Sequence, residues 1–323
     1  MSVSTASSWQ SYWQQAKDKN VCELGGTDHP AIEQFWHRFF RDARVGAKNA
    51  SACPRIIDIA SGSGAVFGHL FSLVDSARCN SVCVDLSPGA VSAVVARWPE
   101  VSGIVADGAA LPLAEHSADI VTSQFGVEYA GIEAIRALFD IVSPGGRIAL
   151  LLHHRDGAIY RECAVNYAAL REVRENGFLE GAIEMFPHAF DVLMGGGRSE
   201  YEKTSQNLIP AFRDMERIMT QYGRHVAGGV IRKLYMDVNH IHTNLPRFER
   251  QEVIGWLKQA VTEIDRYIER MNSMCRAALS AQSFQTLKDG LANTGFELLE
   301  AEALKGADEQ RPLAWSLVAE KTV

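Results

Sequence analysis

The chain is short of several things, and each shortage removes a class of function. None of its apolar runs reaches the roughly twenty residues needed to cross a bilayer. Met1 to Ser8 are small and polar, without the basic start and apolar stretch of a secretion signal, so a soluble, cytoplasmic protein is expected. Cations are in the minority: 32 Lys and Arg face 39 Asp and Glu, for a net charge of −7. That balance opposes a broad phosphate-binding face, and nucleic acid is not an expected partner. No Cys-x-x-Cys pair occurs among Cys22, Cys53, Cys79, Cys83, Cys163 and Cys275, which argues against a zinc ribbon or a redox dithiol. Cys53 and Cys83 are expected in or beside core strands as small hydrophobes. Also missing are a Gly-x-x-x-x-Gly-Lys-Ser/Thr phosphate loop and a Gly-x-Ser-x-Gly elbow, which sets aside triphosphate hydrolysis and serine-hydrolase chemistry. No Asn/Asp-Pro-Pro-Tyr/Phe run follows the fourth strand, and neither an internal repeat nor a low-complexity segment is visible.

What is present begins with residues 55–68, Arg-Ile-Ile-Asp-Ile-Ala-Ser-Gly-Ser-Gly-Ala-Val-Phe-Gly. Residues 56–59 read as a short buried strand whose one charge is Asp58. The chain then turns through Ala60, Ser61, Gly62, Ser63 and Gly64. A helical pattern follows, carried by Val66, Phe67, Leu70, Phe71 and Val74. A strand that runs through glycines into a helix start lets a ligand meet bare backbone and unpaired N–H groups. Four more short apolar runs follow. The second ends in Asp85 and Leu86, and the third in Asp107, Gly108 and Ala109. The fourth leads through Gln124 into Phe125-Gly126-Val127-Glu128-Tyr129. The fifth follows Ser143-Pro144-Gly145 and stops at His153 and His154. Helical patterns at 90–97 and 133–141 lie between them. This alternation predicts an α/β fold, a doubly wound parallel sheet with its ligand at the strands' carboxyl ends. The acid closing the second strand is placed to take two ribose hydroxyls.

This ordered set resembles the class I S-adenosylmethionine-dependent methyltransferases over residues 45–155 and again near the C-terminus. The resemblance implies a Rossmann-like, mostly parallel seven-stranded sheet, S-adenosylmethionine as cofactor and S-adenosylhomocysteine as product. It places the family's first motif on Asp58, Gly62 and Gly64, with Ala60 where its first glycine usually stands and Ser61 in the same turn. Asp58 is then expected to organise the glycine loop and the cofactor's amino group, with Gly62 and Gly64 at the methionine end. Asp85, followed by Leu86, takes the ribose, and Asp107, followed by Gly108, the adenine amine. Asp119 falls on the acid opening strand four, and Pro144, Gly145 and Gly146 on the turn before strand five. Gln124 is expected to touch the cofactor.

A dinucleotide is the rival ligand for such a sheet. Its Gly-x-Gly-x-x-Gly fingerprint would need glycine where Phe67 stands, and Gly68 comes one residue late, which disfavours a pyrophosphate cradle. His240-Ile241-His242 offers two metal ligands without a third, and Gln124 and Glu128 do not supply the paired acids of magnesium-using relatives, so no metal is expected.

Three regions follow: a helical arm over 1–44, a core over 45–155 and 284–323, and a helical insertion over 156–283. The arm carries Trp9, Tyr12 and Trp13, then Ile32, Phe35, Trp36, Phe39 and Phe40 at helical spacing, separated by a turn through Asp28 and His29. Its aromatics pack on the sheet, or Trp13 and the Asp28–His29 turn close over the cofactor and exclude water. Within the insertion, helices are predicted over 158–175, 179–193 and 201–222, the second stopped by Gly195-Gly196-Gly197. Another begins after Pro246 with an apolar stripe of Val253, Leu257, Val261, Ile264, Ile268, Met271 and Cys275. The insertion is expected to roof an acceptor pocket, to carry a homodimer interface, or both. Its Tyr160, Tyr167, Met185, Phe186, Phe190, Met194, Tyr235 and Met236 favour a largely apolar small-molecule acceptor, or form the insertion's own core.

Methyl transfer from a sulfonium is an in-line displacement, and an acceptor with a proton to lose gains from a nearby base. Catalytic candidates at strand ends are Glu128 and Tyr129 after strand four and His153 and His154 after strand five. Alternation along the strand lets only one of the two histidines face the crevice. Two other readings stay open: use of the sulfonium as an electrostatic element in a rearrangement or elimination, and a silent methyltransferase-like subunit that binds a partner.

Overall fold

A computed structural model describes residue 9 and residues 29–45, 53–306 and 310–323. Seven strands form one sheet in the order β3-β2-β1-β4-β5-β7-β6. They are β1 (Arg55–Ile59), β2 (Asn80–Asp85), β3 (Ser102–Val105), β4 (Ala118–Gln124), β5 (Val142–His153), β6 (Phe296–Leu304) and β7 (Ala314–Lys321). Neighbouring strands pair in parallel except at β7, which is antiparallel to both β5 and β6. The expected doubly wound, mostly parallel seven-stranded sheet is the one observed.

Central parallel strands are buried on both faces, and their side chains divide between two cores by alternation. Ile57, Ile59, Val121, Ile148, Leu150 and Leu152 enter one core together with Ile135, Leu138 and Phe139 of α4 (Ile132–Ile141) and Phe284 and Leu287 of α10 (Ala281–Ala292). Ile56, Ile120, Ala149 and Leu151 enter the other. There they meet α1 (Pro30–Asp42), α2 (Ala65–Phe71) and α3 (Pro88–Arg97). Helix starts follow local chemistry. Ser87 Oγ accepts the Ala90 N–H with Pro88 in the first turn of α3, and His29 Nδ1 accepts the Ala31 N–H ahead of Pro30. His29 is thus a helix cap. Trp13 and Asp28 lie outside the described residues.

The chain divides into a sheet unit, Met1–Glu162 with Ser273–Val323, and a helical unit, Cys163–Asn272. The helical unit holds most of α5 (Ala158–Glu175), all of α6 (Phe178–Leu193), α7 (Ser199–Tyr222) and α8 (Val230–Thr243), and most of α9 (Arg250–Ala277). It has its own core, in which Phe178, Phe186, Met215, Ile218, Ile231, Val238 and Leu257 are buried. Met185, Phe186 and Phe190 serve that core, whereas Met194 and Met236 are exposed. The bounds of helix α8 were not anticipated. Cys53 also departs from expectation: it precedes β1 and is exposed, while Cys83 is buried on β2. Among the described residues no cluster of three metal-ligating side chains exists, and no helix is long and apolar enough to cross a membrane.

Candidate active site

Two turns at the carboxyl ends of adjacent strands build the floor of the site. The first leaves β1 through Ala60, at φ +54°, and Gly62, at φ +52°, and reaches α2 through Gly64, at φ +84°. A Cβ on Gly64 would stand 2.6 Å from the Trp98 ring, so this position needs glycine for space as well as for its backbone. The second leaves β4 through Phe125, also at φ +54°, and Gly126. A Cβ on Gly126 would lie 2.4 Å from that of Ala60, so the turns touch. Two non-glycine residues held in the left-handed region mark a place where the surrounding structure over-determines the backbone.

A pocket open to solvent lies over these turns and the ends of β2 and β3. It is lined by the expected Ala60, Gly62, Asp85, Leu86, Asp107, Gly108 and Tyr129. Asp85 is the most constrained of them: Oδ2 accepts the Gly62 N–H at 2.9 Å and Oδ1 accepts the Ser87 N–H at 2.8 Å. Burial raises its pKa, against the pull of those bonds. Asp107 Oδ1 accepts the Ala109 N–H at 3.0 Å, which shapes the turn after β3. Among the described residues that line the pocket, Asp85 and Asp107 are the carboxylates, and no Lys, Arg or His is present. Carboxylates in such a lining fit hydroxyl and amine donors and a positive sulfonium. The adenosyl, ribose and sulfonium groups of S-adenosylmethionine suit it.

Asp58 stands behind the first turn. It is 1% exposed, accepts the Thr122 hydroxyl at 2.8 Å, and burial pushes its carboxyl up to about 8. Ser61 is buried beside it with its N–H on the Val84 carbonyl. Asp58, Ser61 and Gly64 shape the loop and do not line the pocket. Gln124 corrects an expectation: its carboxamide oxygen accepts the Trp36 indole N–H at 2.5 Å, and it too does not line the pocket. Sequence reasoning assigned no site role to Phe125, Gly126, Ala130 and Trp9, which do. Trp9 packs edge-to-face on Tyr129, ring centroids 5.5 Å apart.

The two neighbouring histidines part company. His153, 5% exposed, closes β5 with its ring against two pocket-lining rings, 4.7 Å from Phe125 and 5.7 Å from Tyr129. Glu128 Oε1 accepts the His153 backbone N–H at 2.9 Å and lies 2.6 Å from His153 Nδ1. Glu128 Oε2 is buried with no hydrogen-bond partner among the described residues. A buried carboxylate atom left this way does not serve stability. With Nδ1–H donated to the carboxylate, Nε2 keeps its lone pair. His154 faces the other way. It stacks on Trp315 at 3.9 Å, its Nδ1 accepts the Asp156 N–H, and burial lowers its pKa. These contacts correct its candidacy as a base. His240 and His242 sit on α8, where His242 Nε2 is 2.8 Å from the Tyr201 hydroxyl.

Residues 57–150 match the model of a methyltransferase domain family. A demethylmenaquinone methyltransferase from Beutenbergia cavernae is 29% identical over 116 residues, covering 35% of this chain and 46% of the relative. An uncharacterized methyltransferase from Schizosaccharomyces pombe is 21% identical over 208 residues, covering 62% of this chain and 78% of the relative. The chain therefore spans about half the length of the quinone methyltransferase it matches. Among solved structures, the CurJ carbon methyltransferase aligns with 92% of this chain and 56% of its own, at 10% identity and a TM-score of 0.45. The matched segment runs from inside β1 to Leu150 in β5 and holds both turns and the acids Asp58, Asp85, Asp107 and Glu128. Residues 57–150 thus match a methyltransferase domain, and they lie in a Rossmann-like sheet.

Proposed function

We propose that this protein transfers a methyl group from S-adenosylmethionine to the oxygen, nitrogen or carbon of a small, largely apolar organic acceptor. When bound, the cofactor supplies an electrophilic methyl on a positive sulfur. Asp85 and Asp107 would hold the ribose and the adenine amine, and the Ala60–Gly64 turn, kept in shape by Asp58, would receive the methionine end.

The observation that carries the catalytic part is the buried Glu128–His153 pair, one aromatic ring behind the pocket wall. Glu128 fixes the imidazole through Nδ1, which leaves His153 Nε2 to take a proton from an acceptor that enters past the Phe125 and Tyr129 rings as the new bond forms. Phe125 and Tyr129 keep water from that transfer. The similarity to quinone-modifying methyltransferases supports an acceptor of aromatic or enolic character, in which loss of a proton accompanies methylation. Selection of the acceptor is assigned to the helical insertion over 156–283, and a homodimer through it belongs to the same proposal.

Calorimetric titration with S-adenosylmethionine and S-adenosylhomocysteine tests the reading. Micromolar binding of both supports the cofactor, and acceptors are then screened by release of S-adenosylhomocysteine. Absence of binding to folded protein would sink it in favour of a partner-binding subunit. Acceptor conversion without S-adenosylhomocysteine would replace transfer by a rearrangement or elimination.

A further inference from the structure

Helix α1 reaches the active site through one hydrogen bond. Trp36 is fully buried, stacks on Phe40 and packs edge-to-face on Phe35 and Phe39, so its indole has no room to turn. From that fixed ring the Nε1–H donates to Gln124 Oε1 at 2.5 Å. Gln124 is the last residue of β4. The next residue, Phe125, is held at φ +54° with its N–H on the Leu151 carbonyl, and the one after, Gly126, is pressed against Ala60. Phe125 and Gly126 line the pocket, and the Phe125 ring also covers His153.

A left-handed phenylalanine persists only where its neighbours hold the backbone on both sides. On the C-terminal side the clamp is the contact between Gly126 and Ala60. On the N-terminal side it is the Leu151 carbonyl and the pinned carboxamide of Gln124. We propose that Trp36 and Gln124 are positioning residues that lock the β4 turn in its cofactor-receiving shape, coupling the order of α1 to occupancy of the pocket. The inference rests on the reading of that pocket as the S-adenosylmethionine site. Neither residue lines the pocket. Coupling of this kind is reciprocal: a bond that favours binding is itself reinforced when the site fills.

The test is a double-mutant cycle on the full chain, read by calorimetric titration with S-adenosylhomocysteine well below each variant's melting temperature. Trp36→Phe keeps the packing ring and removes the donor, and Gln124→Met keeps the length and removes the acceptor. Each is expected to weaken binding by about three- to tenfold, the scale of one lost hydrogen bond. The double variant should be no weaker than either single one, because the second change finds nothing left to break. Hydrogen exchange gives the reciprocal readout. S-adenosylhomocysteine should slow exchange of the α1 amides in the wild type and leave them unprotected in Gln124→Met, which does not alter α1 itself.

Three results would overturn the inference. Wild-type binding with unchanged affinity in both single variants would show that the bond serves stability alone. Additive losses in the double variant would show that the residues act separately. Wild-type protein that fails to bind S-adenosylhomocysteine would overturn this inference together with the pocket assignment beneath it.

Discussion

The sheet unit and the helical unit follow opposite rules for buried polarity. Among the described residues the sheet unit buries Asp58, Glu128, His153 and His154, all ionisable, along with Ser61, Ser87, Thr122 and Ser123. The helical unit buries only Asn166 and Thr204 among its polar residues. Asn166 caps a turn by accepting the Ala227 N–H, and Thr204 Oγ1 returns to the carbonyl of Glu200. The ion pairs of the helical unit, such as Arg217 with Glu172 and Arg250 with Asp191, lie at its surface, where each contributes little. Burying a charge is costly, and a fold keeps one only where chemistry or a specified shape needs it. The helical unit is built for packing. The sheet unit accepts unfavourable burial, most of it around one pocket.

That contrast can be broken or sharpened by experiment. The largest effect is expected at His153. His153→Gln should lower kcat by about 10²- to 10⁴-fold, the range for loss of a positioned base, with unchanged affinity for S-adenosylhomocysteine. His154→Gln, one residue on, should leave turnover as it is. Equal losses in the two variants would erase the distinction between them. Next comes the helical unit's core, where Phe186→Ala should cost about 3–5 kcal/mol of stability, seen as a lower urea midpoint. A loss below about 1 kcal/mol would show that this core tolerates collapse.

A smaller effect is expected at Asp85, where Asp85→Ala should weaken cofactor binding by about 1–3 kcal/mol, measured by titration. An unchanged dissociation constant would remove Asp85 from the ribose. The last concerns pH. The Asp58 carboxyl is raised from an ordinary 3.8 to about 8 in the folded chain. Between those values the folded state holds a proton that the unfolded state has released. This group therefore makes the cofactor-free protein lose stability as pH rises, by at most about 1.4 kcal/mol per pH unit, levelling off above the folded value. Asp58→Asn should flatten that slope in urea titrations between pH 5 and 8, and a slope unaltered by the substitution would show that Asp58 is ionised throughout.

Much of the sheet unit is readable in advance because its signals are local. Ile56, Ile57 and Ile59 around Asp58, and the acids Asp85 and Asp107 at the ends of short apolar runs, announce strand, turn and ligand within a few residues of one another. The pairings are not local. Glu128 and His153 each stand out as candidates, but 25 positions separate them and no periodicity joins them. Trp36 and Gln124 are 88 positions apart, and the bond between them turned an expected cofactor contact into a strut. The left-handed Phe125 carries no signal either, since nothing local asks for glycine there and gets phenylalanine. Helix α8 carries the regular stripe Ile231, Leu234, Val238 and Ile241, so its helical character inside the insertion was legible while its bounds were not.

The contact of Gly126 with Ala60 also limits how this protein can change over generations. Ala60 occupies the space that a side chain on Gly126 would need, so an added methyl group at Gly126 is blocked. A side chain at Gly126 becomes accessible only after Ala60 gives way, so the β4 turn changes in step with the β1 turn. New acceptor preferences are accessible instead through positions such as Tyr129 and Ala130, which border the same pocket without sharing that crossing. The floor is inherited as a unit, and diversification is left to the walls.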